Sequence, residues 1–143
     1  MKNGYPQLFE LNKIKNWSIN DFMELIDFIR DRWTYNSFIK CNWEKHRISG
    51  YFLRFELVTG GMSGNERLVE SLLKNEMFKL LWYAEWRRGG KYVFEINPEH
   101  AGYLLVSKYC KENKISRQAI YQNKHKYSFI EASSHIVFVR RLN

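Results

Sequence analysis

The stretch from Thr59 to Ile96, TGGMSGNERLVESLLKNEMFKLLWYAEWRRGGKYVFEI, constrains the fold more than any other part of the chain. It opens on a glycine-bearing loop and then presents Ser63-Gly64-Asn65-Glu66, the S-x-x-E spacing of a capping box. In such a box the serine hydroxyl accepts from the amide of the glutamate, whose carboxylate reaches back to the serine amide. This start predicts one long helix carrying Leu68, Val69, Leu72, Leu73, Met77, Phe78, Leu80, Leu81, Trp82, Ala84 and Trp86. Arg67, Glu70, Lys74 and Asn75 keep one face of its first half polar. From Met77 onward the helix is apolar almost all round, so other elements must cover it on several sides. Gly89 and Gly90 then allow the left-handed backbone that ends a helix and reverses the chain. Lys91 to Ile96 follows as a strand with Tyr92, Phe94 and Ile96 on one face.

The elements that wrap this centre precede it. Residues 1–16 read as peripheral, with a short strand at Leu8–Leu11. Ser18 starts a helix in which Phe22, Leu25, Ile26, Ile29 and Trp33 recur at helical spacing. Its wet face holds Asp21, Glu24, Asp27, Arg30 and Asp31. A strand from Tyr35 to Trp43, a polar turn at Glu44–Arg47 and an alternating strand from Ile48 to Val58 read as an antiparallel hairpin. The resulting fold class is α+β, an α-β-β-α-β unit with a small sheet packed on two helices. Asn97-Pro98 breaks the last strand, and the composition changes there. A core domain over 1–98 and a C-terminal segment over 99–143 are therefore expected.

An apolar share of 45% and an aromatic share of 17% supply a real core and exclude a disordered chain. No apolar run approaches the ~20 residues of a membrane span, and MKNGYPQLFEL lacks a signal-peptide h-region. Cys41 and Cys110 have no close partner and no metal-ligand spacing, which points to reduced thiols in a cytoplasmic protein. The net charge of +8 is unevenly spread. Residues 1–100 hold 15 Lys+Arg against 13 Asp+Glu, whereas residues 101–143 hold eight against two. Such a basic segment points to a polyanion, nucleic acid first among them.

Within that segment, Leu104, Leu105, Val106 and Tyr109 give a first helix, with a break at Asn113–Ile115. Ser116 is an N-cap for a second helix, with Ala119 and Ile120 inward and Arg117, Gln118, Tyr121 and Gln122 outward. Two short β-like runs, Tyr127–Glu131 and His135–Arg140, flank Ala132-Ser133-Ser134. The run CKENKISRQAIYQ resembles the helix-turn-helix of small bacterial and phage DNA-binding proteins, including excisionases and the MerR-like group, which carry a β-hairpin wing. In that resemblance Cys110 takes the small-residue position, Ile115 the buried turn aliphatic, Ser116 the cap and Ile120 the buried recognition-helix position. Lys114 stands where glycine is usual. The resemblance implies a winged helix-turn-helix, double-stranded DNA as partner and, as is common for such proteins, a homodimer. On physical grounds, Arg117 and Gln118 are side chains able to make paired contacts with guanine and adenine. Tyr121 and Gln122 lie a turn later, Lys124, Lys126, Arg140 and Arg141 are placed to hold phosphates, and Ser134 with His135 tips the wing.

The central module resembles a motif set in small phage proteins without an assigned activity, through Thr59-Gly60-Gly61, Ser63–Glu66, Arg87-Arg88-Gly89-Gly90 and Tyr92-x-Phe94-x-Ile96. A phage source is implied. Gly60, Gly61 and Gly64 before a helix invite an anion, but no G-K-[ST] or G-x-G-x-x-G spacing follows, and a glycine turn with a capped helix accounts for them. Arg87, Arg88 and Lys91 form a basic turn equally suited to complementing the helix dipole or to holding an anion or an acidic partner. His46, His100, His125 and His135 are scattered, and no metal-ligand spacing appears. Asp27 and Asp31 share a helix face and read as solvated rather than Mg²⁺-binding. No catalytic residue, metal or cofactor is expected. The leading expectation is a phage-type DNA-binding protein, a transcriptional regulator or accessory factor. The alternative is a small inhibitor of a host defence nuclease, anti-CRISPR-like, acting by protein–protein binding and able to bind DNA for self-regulation.

Overall fold

The computed structural model describes residues 5–46 and 50–143. The chain divides into two compact units, 1–97 and 98–143. The first contains helices α1 (Leu8–Lys15), α2 (Phe22–Arg32), α3 (Ser63–Leu73) and α4 (Glu76–Trp82). Its strands are β1 (Ile39–His46), β2 (Gly50–Val58), β3 (Tyr83–Arg87) and β4 (Lys91–Ile96), in one antiparallel sheet of order β1-β2-β4-β3. Mixed α+β architecture is thus present, with the β1–β2 hairpin in place. Glu44, Lys45 and His46, expected in the turn, instead extend β1 and pair with Phe52, Tyr51 and Gly50, while Arg47 of that turn and Ile48 and Ser49 of the expected strand lie outside the described residues.

Strand register decides which side chains meet the helices. Leu53 faces Ile96 across β2 and β4, and Phe55 faces Phe94. All four are buried, as are Leu57 and Ile39, the next pair on the same face. Phe78 and Trp82 of α4 complete an aromatic cluster with Phe22 and Phe94, with ring centroids 5.0–5.4 Å apart and edge-on geometry. α2 buries Phe22, Leu25, Ile26 and Ile29 as its spacing requires, and Ser18 caps the 3-10 turn before it by accepting from the Asn20 amide at 3.3 Å.

Four further expectations about the first unit are corrected. Leu8–Leu11 is the first half of a helix, stabilised where Glu10 accepts from the Gln7 amide at 2.8 Å and buried at Glu10 and Ile14, four residues apart. Tyr35 does not open a strand. Its φ of 66° leads into a 3-10 turn at Asn36–Phe38, and β1 starts at Ile39. The serine-based capping box is absent, because Ser63 already lies in the first helical turn and donates to the Tyr5 hydroxyl at 2.7 Å. The long central helix is three elements. α3 ends at Leu73 with Lys74 as its C-cap, Asn75 caps α4 by accepting from the Phe78 amide at 3.2 Å, and the chain leaves α4 at Tyr83 to become β3. Burial of an apolar run on all sides is thereby avoided: Phe78 and Trp82 are buried while Met77 and Leu80 face solvent.

Two buried asparagines hold this arrangement. Asn75 donates to the carbonyls of Ile14 (3.0 Å) and Trp17 (2.9 Å), joining the α3–α4 junction to the end of α1. Asn65 accepts from the Thr34 amide at 2.9 Å and donates to the carbonyls of Thr34 and Thr59. Each satisfies backbone groups that would otherwise be buried without partners.

The second unit contains β5 (Leu104–Leu105), α5 (Val106–Asn113), α6 (Arg117–Gln122), β6 (Tyr127–Ser133) and β7 (Ile136–Arg141). Its sheet has the order β5-β7-β6. Leu104 and Leu105, expected in a helix, pair with Val139 and Phe138 as a short strand, and the helix begins at Val106. Among the described residues no helix is long and apolar enough to cross a membrane.

Candidate nucleic-acid interface

The second unit is built around Val106, Ile120, Tyr127 and Val139, with Tyr109, Cys110, Ile115, Phe129 and Val137 packed against them. α5 ends where Lys114 adopts φ 52°, ψ 46°, the left-handed conformation that glycine adopts without strain. The bend brings the Ile115 amide back to the Cys110 carbonyl at 3.1 Å. Ser116 then caps α6, its hydroxyl accepting from the Ala119 amide at 3.1 Å. Ile120 is wholly buried, so the helix has one orientation about its axis. Arg117, Gln118 and Gln122 are consequently exposed together.

The other expected contacts divide. Tyr121 is half-buried, stacked on Phe129 with centroids 5.5 Å apart and planes 12° apart, and Lys124 Nζ lies 5.7 Å from its ring. Its outward placement is therefore corrected: one ring face is committed to β6. Lys124 and Lys126 are exposed on a 3-10 turn directly before β6, where the Lys126 carbonyl accepts from the Leu142 amide at 2.8 Å. The β6–β7 register sets Arg141 opposite Tyr127, at that same end of the sheet. Ser134 and His135 occupy the exposed turn at the opposite end, with the His135 amide donating to Ser133 Oγ at 3.3 Å. Arg140 is half-buried and holds its guanidinium over the Tyr103 ring at 5.0 Å. Tyr103 in turn shares a 2.7 Å hydrogen bond with Ser128. Arg140 thus serves packing between β7 and the β5 region rather than the basic surface. Lys108, the neighbour of this core on α5, pairs with Glu99 at 3.0 Å.

In the first unit, Arg87 donates to Glu85 at 2.6 Å and Lys91 lies 3.7 Å from Glu56. Arg88 is exposed at the tip of the β3–β4 hairpin. Glu56 is held below the ordinary carboxylate value, chiefly through its hydrogen bond from Arg54, with burial opposing and Lys91 adding attraction. The three cations are therefore not one equivalent patch. Gly60 and Gly61 take positive φ in the turn that leads from β2 to α3, where the Thr59 carbonyl accepts from the Met62 amide at 3.0 Å. That turn explains these glycines without an anion.

Among the described residues no three His, Cys, Asp or Glu side chains gather as a metal site. Burial pushes the Cys41 thiol up, against the pull of Arg30, away from the thiolate a nucleophile needs. Asp27 sits 3.8 Å from Arg30 on the exposed face of α2. Asn75, expected on the polar face of the central helix, is buried, and so is Asn65, expected only as a spacer in the capping box. Residue-by-residue reading missed that Trp86 and Tyr92 meet across β3 and β4. The apolar–polar alternation of Ala84-Glu85-Trp86-Arg87 was the available signal for that strand. No protein-family model matches the chain, no curated protein matches it, and no solved structure matches its fold.

Proposed function

We propose that this chain is a DNA-binding protein that reads duplex DNA through its C-terminal unit, in the manner of a regulator or accessory factor of phage type. α6 lies in the major groove with Arg117 and Gln118 on base edges and Gln122 a turn later. Lys124, Lys126 and Arg141 hold phosphates, and the Ser134–His135 turn acts as the wing. The observation that carries this reading is the fixed presentation of α6: a serine-capped start, a buried Ile120 and a neighbouring Arg117-Gln118 pair left exposed. A solubilising surface requires charge but not a helix held by one buried residue with paired-contact side chains at its start.

Fluorescence anisotropy on duplexes selected from a random pool tests it. Sequence-selective, salt-sensitive binding is expected, and Arg117→Ala with Gln118→Ala weakens it at least tenfold, each lost base contact being worth about 1–3 kcal/mol. Unchanged affinity and unchanged preference in the double variant would reject the reading.

A second reading concerns the first unit. Leu8 and Phe9 on α1 are 74% and 72% exposed, and Leu80 on α4 is 77% exposed. Large exposed apolar side chains favour a protein partner, in line with an inhibitor of a host nuclease. Tight capture of a purified nuclease by residues 1–97 would support it, and capture undiminished by Leu8→Ser with Phe9→Ser would remove that surface from it.

A further inference from the structure

The geometry points to a nucleotide-binding groove between α3 and the β3–β4 hairpin, suited to an unpaired guanine base with its phosphate at the hairpin tip. The groove is open to solvent and holds about 380 Å³, within the size range of small-ligand sites. One wall is a stripe of α3 bearing Glu66 and Glu70, and the other is formed by Trp86 and Tyr92. These two aromatics are cross-strand neighbours on one face of the hairpin. Trp86 is 56% exposed, an indole of this size left uncovered on a strand. Thr59 and Gly90 form the floor, tied by the Thr59 amide donating to the Gly90 carbonyl at 3.0 Å. Gly90, at φ 80°, has no room for a side chain, because a Cβ there would run into the Thr59 hydroxyl. The floor is thereby fixed and both walls stand on regular elements.

The base and the phosphate of a nucleotide each have a partner in this arrangement. An exposed indole stacks on any base, a contact worth about 1–3 kcal/mol. Carboxylates accept from base N–H groups, and unpaired guanine presents N1–H and N2–H₂ side by side on its Watson–Crick edge. Arg88, at the exposed turn between Trp86 and Gly90, supplies a cation for the phosphate, whereas Arg87 is paired with Glu85 and lies on the strand face opposite Trp86. A cationic side chain of a partner protein would also suit the indole and carboxylates. It would be repelled by Arg88 at the same turn, which a phosphate-bearing ligand is drawn to. Glu70 also pairs with Lys74 at 3.2 Å on the exposed side of α3, leaving Glu66 as the carboxylate without that cation.

The test uses the full chain. Anisotropy is measured with a labelled T-rich nine-nucleotide single strand carrying one central guanine, with the all-thymine strand, and with GMP as competitor. The expected result is a preference for the guanine strand, loss of at least fivefold in Trp86→Ala with partial recovery in Trp86→Phe, and loss of the guanine preference in Glu66→Gln with Glu70→Gln. GMP that competes at the concentration of the strand identifies a free nucleotide as sufficient; GMP that competes only at far higher concentration identifies a single strand, and either outcome upholds the groove. Arg117→Ala with Gln118→Ala leaves this binding intact, so the result stands or falls apart from the duplex reading. Equal binding by the wild type and Trp86→Ala, or displacement by N-acetylarginine amide in place of GMP, would overturn it.

Discussion

Asn75 does the work of three residues. Its side-chain oxygen caps α4, and its amide closes the carbonyls of Ile14 and Trp17 at the end of α1. Asn75→Ala leaves buried acceptors unpaired and removes a cap, so a loss of about 2–3 kcal/mol is expected in urea unfolding. Lys114 is the opposite case, a residue in a conformation it adopts at a cost. Lys114→Gly relieves the left-handed backbone and raises stability by about 1 kcal/mol, with the thermal midpoint rising to match. Glu10 gives the pH dependence. Burial pushes its carboxyl up, but the Gln7 amide and the Arg32 guanidinium more than offset this, and its folded pKa lies below the ordinary value. A depressed carboxyl contributes stability that is present above its unfolded pKa and is lost as pH falls through the folded one. Stability measured by denaturation therefore declines as pH drops through and below the usual glutamate range, and Glu10→Gln flattens that decline.

At the level of elements, amphipathic spacing was a reliable guide where one face was plainly apolar. α2, the β1–β2 pairing and β4 were legible from that pattern, and so were the Ser116 cap and Ile120 in α6. The central helix was not, because a run apolar on every side has no period to read. Physics resolves it with a break at Lys74-Asn75 and a change from period 3.6 to period 2 at Tyr83, which places Trp82 inside and Trp86 on the hairpin. α1 was hidden for a related reason: Leu8 and Phe9 face solvent while Glu10 is buried, reversing the usual inside–outside code. The candidate interface was legible as residue types but not as geometry. Nothing in the sequence announced that Phe129 covers Tyr121 or that Tyr103 holds Arg140. Ser116→Ala tests the element on which the interface rests. Loss of its bond to the Ala119 amide lowers the stability of the second unit by about 1 kcal/mol and weakens duplex binding without altering its sequence preference.

At the scale of the molecule, charge and fold divide in the same place. The residues after Pro98 fold as a unit of their own, and that part of the chain carries most of the +8 excess. In the first unit, basic and acidic side chains are interleaved in pairs such as Arg54–Glu56 at 2.8 Å and Lys91–Glu56 at 3.7 Å. The excess positive charge thus lies in the second unit, whereas the exposed apolar side chains of α1 and α4 and the groove beside Trp86 give the first unit a different kind of surface. The account rests on α6 meeting DNA. The most direct measurement is the salt dependence of binding to a pool-selected duplex, by anisotropy, for the wild type and for Arg117→Ala with Gln118→Ala. Phosphate contacts from Lys124, Lys126 and Arg141 predict a log–log slope of about −0.9 per contact. That slope is retained in the double variant while the preference for the selected sequence disappears. A wild-type chain that shows no salt-dependent binding, or a double variant that keeps full sequence preference, would contradict it.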